Sequence, residues 1–164
     1  MTRCEINIKF EDCEDFTTLK DREIIKKSPC LQRSIESYNA EWETMDTVLE
    51  DAISLPFPKT AGDFLFSYIH KYTPPGENDF DTKVEQYKEA NEKTLDELKD
   101  IIELGNYLEC IDFMHCVGFV IAKKLEVLPI EKIAEYFGVP CNSKASIFDE
   151  ADGWKEVDPK VFEN

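Results

Sequence analysis

The chain has 164 residues, of which 42% are hydrophobic and 12% are aromatic. A chain of this length and composition buries a real hydrophobic core, so wholesale disorder is excluded. Its 35 Asp and Glu residues against 19 Lys and Arg give a formal net charge of −16, which repels phosphate backbones and anionic lipid head groups. We therefore expect neither nucleic acid nor a membrane as a partner. The acidic excess serves either solubility or the attraction of a basic partner.

The start of the chain shows no secretory signal, because no basic segment is followed by an apolar run. The longest apolar run, 113–122, is about half of the roughly 20 residues that a membrane span requires. An intracellular protein is therefore expected, with its cysteines reduced and mostly buried, since none of them forms a CxxC pair. Cys110, His115 and Cys116 form the one tight group of zinc-type ligands, and neither a metal nor a cofactor is expected.

The first third of the chain predicts a hairpin followed by helices. Residues 6–10 alternate apolar and polar side chains with the period of a half-buried strand, and residues 16–19 are a candidate returning strand. Asp21 is placed to cap a short helix, and Ser28-Pro29 supplies a capping hydroxyl and a first-turn proline for the next helix. The acidic stretch 38–51 fits a short helix or a partly ordered loop equally well.

The middle of the chain predicts a strand, a helix and a loop. Residues 53–55 alternate before a proline, which indicates a short strand that ends there. Thr60 and Asp63 resemble a capping box for a helix that reaches Tyr72 and stops at Pro74-Pro75-Gly76. A polar loop follows near 76–83 and divides the predicted organisation into two parts.

Two consecutive amphipathic helices are the most informative feature of the C-terminal half. A helix over 84–103 leads into a helix running from Gly105 to Leu128, and Pro129 and Gly138 mark the start and the end of a short second helix. The second helix carries one apolar stripe, made of Ile130, Ile133, Ala134 and Phe137. Periodicity alone favours a core hairpin over a face that holds another protein, because most such stripes pack inside the protein. The tail after Gly138 has too little apolar surface to order itself, so it frays or docks.

Motifs of catalysis are absent from the sequence. The six glycines are scattered, so the chain has no GxGxxG motif and no Walker-type phosphate loop. His115 and Cys116 are consecutive residues on a predicted helix, and consecutive helical side chains do not face each other as a thiol and imidazole pair must. We therefore expect a protein that is not an enzyme.

Several short motifs follow one another along the chain: Ile53-Ser54-Leu55-Pro56, Tyr72 to Pro75, Thr94-Leu95, Asn106-Tyr107-Leu108 and Leu128 to Phe137, with Trp154 near the end. This series resembles that of the S-phase-kinase-associated adaptor family of SCF ubiquitin ligases. The order and spacing of the motifs, rather than any single motif, make the likeness. It spans nearly the whole chain and is weak before Ile53.

The resemblance implies an α+β fold: a BTB/POZ-like domain over 1–125, followed by C-terminal F-box-binding helices and a tail over 126–164. It implies a non-catalytic adaptor that bridges a cullin to F-box proteins in the cytoplasm and nucleus, as a monomer or weak homodimer when unpartnered. By position, Asn106 and Tyr107 match the cullin-facing pair of the family. The positions that match its F-box-binding part are Val117, Val120, Ile121, Pro129, Ile130, Ile133, Phe137 and Trp154.

The chain also departs from the family pattern. Residues 140–146 replace an acidic segment, 94–106 is about one helical turn longer, and 38–50 has no convincing counterpart. These departures indicate a diverged paralogue. They keep open a second hypothesis, a BTB-type scaffold subunit that self-associates outside a ubiquitin ligase, and a third, an enzyme that uses Cys116, which we do not expect.

Overall fold

The computed structural model describes residues 2–76 and 82–141, which form a mixed α+β fold as predicted. The chain divides into two compact units, Met1–Lys124 and Leu125–Asn164. The strands are β1 (Cys4–Phe10), β2 (Phe16–Leu19) and β3 (Thr47–Leu55). The helices are α1 (Arg22–Lys26), α2 (Pro29–Tyr38), α3 (Lys59–Tyr68), α4 (Lys88–Asn91), α5 (Leu95–Tyr107), α6 (Ile111–Leu125) and α7 (Ile130–Phe137), with a 3-10 turn at Val84–Tyr87.

The three strands form one small sheet in the order β2-β1-β3. β2 pairs antiparallel with β1, and β3 pairs parallel with β1 with an irregularity between Ile6 and Ile8. Ile6, Ile8 and Phe10 are almost completely buried, while the intervening residues of β1 are partly exposed. The alternation predicted for β1 and the returning strand β2 are therefore confirmed.

The stretch 38–51 contains no short helix of its own; it is a loop over 39–46 followed by the start of a strand. α2 ends at Tyr38, a turn follows, and β3 begins at Thr47. The Asn39 side chain donates a 2.8 Å hydrogen bond to the Thr47 hydroxyl, and Trp42 in the turn is 1% exposed. The predicted short helix is wrong. β3 pairs with β1, so its backbone hydrogen bonds are made within the sheet, although its apolar residues are spaced as in a helix.

Helix α3 begins without a capping side chain of its own. The position before its first residue is Pro58, and the Asp12 carboxylate from the β1–β2 turn accepts a 2.7 Å hydrogen bond from the Lys59 N–H. The predicted capping box at Thr60 is wrong, because Asp63 instead forms a 2.6 Å ion pair with Lys59. A long-range cap of this kind ties the hairpin to α3.

Helix α3 approaches the sheet closely at Gly62. Gly62 lies under the Phe10 ring so tightly that an added Cβ would be 2.0 Å from Phe10 Cζ, which makes glycine a steric requirement there. α3 also packs against α5. It ends at Tyr68, earlier than the predicted end near Tyr72, and the predicted polar loop lies largely outside the described residues.

Tyr72 and Tyr87 connect the chain before the predicted polar loop with the chain after it. The Tyr72 hydroxyl donates to Glu89 Oε2 at 3.1 Å and accepts from the Ala90 N–H at 3.1 Å, while the Tyr87 hydroxyl donates to the Thr73 carbonyl at 2.6 Å. Burial is the main cause that raises the pKa of the Tyr72 phenol. These contacts hold the end of the α3 region against the start of α4.

The helix predicted over 84–103 is interrupted before α5, and the helix predicted from Gly105 to Leu128 spans parts of two helices. α5 begins with a complete capping box between Thr94 and Glu97 and ends at Tyr107, and α6 begins four residues later at Ile111. Glu109 lies between them with φ 61°, a left-handed conformation that interrupts a right-handed helix. Spacing of apolar residues did not reveal the break, because Leu108 and Ile111 keep helical intervals across it.

The described part of the second unit contains α7. Pro129 directly precedes its first residue, and Gly138 ends it in the left-handed conformation with φ 65°, as predicted. The Val139 N–H donates to the Ala134 carbonyl at 3.0 Å, which closes the C-terminal turn. The tail, including Trp154, lies outside the described residues.

Candidate protein-interaction surfaces

The predicted pair Asn106 and Tyr107 lies at the C-terminal end of α5, and both residues are exposed. Tyr107 keeps 47% of its surface accessible. Its ring meets the partly buried Phe57 ring edge-on, with centroids 5.6 Å apart and planes at 70°. We call Asn106 and Tyr107 the Tyr107 surface. It offers a rigid apolar ring with a polar hydroxyl, a combination common among binding anchors.

The break behind the Tyr107 surface is formed by backbone hydrogen bonds. The Glu109 N–H donates to the Asn106 carbonyl at 3.0 Å, and the Cys110 N–H donates to the Gly105 carbonyl at 2.8 Å. An added Cβ at Gly105 would lie 3.1 Å from Met114 Cγ, so the absence of a side chain lets α6 start directly beside α5. The chain therefore turns sharply just after Tyr107.

The start of α2 supports this break from the side. Arg33 forms a 2.6 Å ion pair with Glu109, and the Cys30 N–H donates to the Leu108 carbonyl at 3.5 Å. The Ser28 hydroxyl, predicted to cap α2, makes no cap hydrogen bond and instead accepts from the Cys110 thiol at 3.5 Å. Burial raises the pKa of that thiol to about 11.

The predicted F-box-binding residues separate into buried and exposed groups. Val117, Val120 and Ile121 on α6 are 0%, 0% and 7% exposed, so they are interior residues of the described chain. On α7, Ile130 and Phe137 are 59% and 60% exposed. Of the remaining predicted positions, Pro129 is exposed, Ile133 is partly exposed, and Trp154 lies outside the described residues.

Two exposed apolar residues that flank α7 were missed by sequence reasoning. Val127 precedes the helix and is 83% exposed, and Val139 follows it and is 54% exposed. Helical periodicity covers only helical positions, so it gives no signal for residues on either side of the caps. We call Val127, Ile130, Phe137 and Val139 the α7 surface.

A cleft of about 550 Å³ opens in the first unit beside the α5–α6 break. Lys26 and Lys27 line it together with Glu109 and Asp112, so its walls carry charges of both signs. Its apolar lining residues include Pro29, Ile69, Pro74, Ile111 and Phe113.

Within residues 2–76 and 82–141, no group of three His, Cys, Asp or Glu side chains is arranged to hold a metal ion.

The candidate thiol and imidazole pair has unfavourable geometry for nucleophilic catalysis. Cys116 is 0% exposed and its thiol donates to the Asp112 carbonyl at 3.2 Å, while the neighbouring His115 is exposed. Burial raises the pKa of the Cys116 thiol to about 11, which holds it in the protonated, weakly nucleophilic form. All six cysteines lie among the described residues and carry free thiols.

Comparison with known proteins adds no family assignment. No family model matches the chain, and a search of curated proteins finds no match. Among the helices of the described residues, none is long and apolar enough to span a membrane. The Tyr107 surface and the α7 surface remain the candidate sites.

Proposed function

We propose that this chain is a non-catalytic adaptor of an SCF-type ubiquitin ligase. It binds an F-box protein through the α7 surface of its second unit and a cullin through the Tyr107 surface of its first unit. The observation that carries the proposal is the exposure of large apolar side chains on and around α7, where Ile130, Phe137 and Val139 are each more than half accessible. The motif order that resembles the S-phase-kinase-associated adaptors supplies the identity of the partners.

The exposed α7 surface supports a partner that buries it. Large apolar side chains that are exposed to water favour an interaction site, because their burial by a partner gains free energy. A short amphipathic helix next to a Pro and Gly boundary suits packing of a helix against a helix, which is the mode implied for an F-box. In this proposal Val117, Val120 and Ile121 form core and the exposed residues make the contact.

The Tyr107 surface supports a second, separate partner. Tyr107 is exposed at a helix end, beside a sharp backbone turn that Arg33 and Gly105 help to form. The mixed α+β architecture with a small sheet is compatible with the BTB/POZ-like domain of the proposal. One exposed anchor on each compact unit is what a bridging protein requires.

Affinity purification of the tagged full chain from native cells, followed by mass spectrometry, tests the proposal. We expect a cullin and F-box proteins among the recovered proteins. Tyr107→Lys should lose the cullin and keep F-box proteins, while Phe137→Asp should do the reverse. Tyr38→Lys and Phe16→Asp are matched controls, because Tyr38 and Phe16 are 64% and 58% exposed on other parts of the first unit. Recovery of neither partner class by the unaltered chain would refute the adaptor role.

The α7 surface also favours one alternative, a BTB-type scaffold that self-associates. A second copy of the chain would bury the same apolar residues as a partner would. Light scattering on the purified chain separates the two candidates. A stable oligomer that Phe137→Asp dissociates would support the scaffold, and a monomer or weak dimer would support the adaptor.

A further inference from the structure

We propose that Phe57 is a positioning residue that holds Tyr107 in the orientation that binds the cullin. This inference rests on the proposed function, because it concerns the same surface. Phe57 lies in the loop between β3 and α3, 50 residues before Tyr107, so only the tertiary structure brings the two rings together.

The contact between the rings has the geometry of a specific aromatic pair. The centroids are 5.6 Å apart and the planes are inclined by 70°, which is the edge-to-face arrangement that the aromatic quadrupole favours. Tyr107 is the last residue of α5, and the backbone leaves helical geometry at Glu109. Phe57 is thus a defined side-chain contact that restricts Tyr107 at an exposed helix end.

Phe57 is itself well fixed. Pro56 and Pro58 flank it, and a proline restricts its own φ and the conformation of the residue before it. The Glu11 N–H donates to the Phe57 carbonyl at 3.2 Å, and Asp12 caps the first residue of α3 at 2.7 Å. The loop is therefore attached to the β1–β2 turn at the Phe57 carbonyl and again at Lys59, two residues further along.

The Phe57 ring affects binding by reducing the side-chain entropy of Tyr107 in the free protein. An exposed tyrosine populates several χ1 rotamers. A partner that binds only one of them binds more weakly, the more the other rotamers are populated. The Phe57 ring removes this cost before binding. Phe57→Leu, which keeps an apolar side chain and removes the ring, should therefore weaken cullin binding about threefold to tenfold.

A double-mutant cycle for binding to a cullin recovered by affinity purification, measured by calorimetry, tests the inference. The variants are Phe57→Leu, Tyr107→Ala and the pair, with the same substitution at the exposed Phe16 as a control elsewhere in the first unit. We expect the effect of Phe57→Leu to disappear in the Tyr107→Ala background, because Phe57 acts through Tyr107. Phe57→Tyr, which keeps the ring, should restore binding.

Nuclear magnetic resonance of the free chain supplies a readout that a loss of stability would not move. An Overhauser contact between the two rings is expected in the unaltered chain, and three-bond couplings should show Tyr107 χ1 averaging after Phe57→Leu at an unchanged melting temperature.

Retained cullin binding by Phe57→Leu alongside loss by Tyr107→Ala would overturn the positioning role and leave the proposed function intact. Additive effects would also overturn it, since Phe57 would then contact the partner itself. No cullin binding by the unaltered chain would overturn both.

Discussion

Simultaneous truncation of Ile130 and Phe137 to alanine is the most direct quantitative test of the α7 surface. Both side chains lie on the apolar stripe of α7 and are exposed, unlike the buried Ala134 of the same stripe, and both belong to the residues that the proposed F-box contact buries. Alanine preserves helix propensity, so the change removes apolar area without breaking α7. The perturbation therefore acts on binding rather than on folding.

The expected magnitude follows from exposure. Ile130 is 59% and Phe137 is 60% exposed, and complete burial of such a side chain is worth about 1.5–3 kcal/mol. Burial of the exposed share alone gives about 1–2 kcal/mol for each residue, or about 2–4 kcal/mol for both. That loss corresponds to a binding affinity about 30-fold to 1,000-fold weaker.

Titration calorimetry with the F-box domain recovered by affinity purification measures this loss. Apolar burial also gives a negative heat-capacity change on binding, which should be smaller in magnitude for the truncated chain. Circular dichroism should show an unchanged helix content. An affinity within a factor of three of the unaltered chain would refute the reasoning, because side chains that leave water on binding cannot be removed at so small a cost.

Three further predictions concern the stability and chemistry of the chain. Gly62→Ala should lower the free energy of unfolding by about 1–3 kcal/mol, because its Cβ would meet a buried ring, while Gly118→Ala, with only an ordinary 3.7 Å contact, should not. Hydrogen bonds from Arg3 and then Lys20 lower the pKa of Glu5 from 4.5 to about 2, so its contribution to stability is present above pH 4.5 and lost as the pH falls through 2. Exposed Cys141 should react with iodoacetamide well before buried Cys110, whose pKa is raised to about 11.

Each of these predictions has a direct measurement. Urea unfolding reports the glycine variants, and equal stability of both would contradict the steric account of Gly62. For Glu5, the difference in unfolding free energy between the unaltered chain and Glu5→Gln should be constant above pH 5 and shrink towards zero near pH 2. A difference that does not change with pH would contradict the depressed pKa. Peptide mass spectrometry over a labelling time course identifies the thiols, and early modification of Cys110 would contradict its burial.

Much of the local structure was predictable because it depends on neighbours in the chain. The alternation in β1 follows from side chains that point to opposite faces, and Asp21 accepts from the Glu23 N–H as an N-terminal cap should. Gly138 ends α7 because a left-handed residue is cheapest as glycine. These features rely on conformational preferences that a few consecutive residues express on their own.

The candidate site was predictable only in part. Tyr107 and Ile130 were selected from their positions in a motif and a stripe, and both are exposed. Val117 and Val120 belong to the same kind of stripe and are completely buried. Periodicity shows that a helix has an apolar face, but it carries no information on whether that face meets the rest of the chain or water.

The sequence by itself determined the class of the fold, the ends of several elements and the order of motifs that leads to an adaptor hypothesis. The tertiary structure alone decided the features that depend on distant residues. Asp12 caps α3 across 47 positions, and Phe57 supports Tyr107 across 50. Such contacts depend on which surfaces meet after packing, and no short window of sequence encodes that meeting.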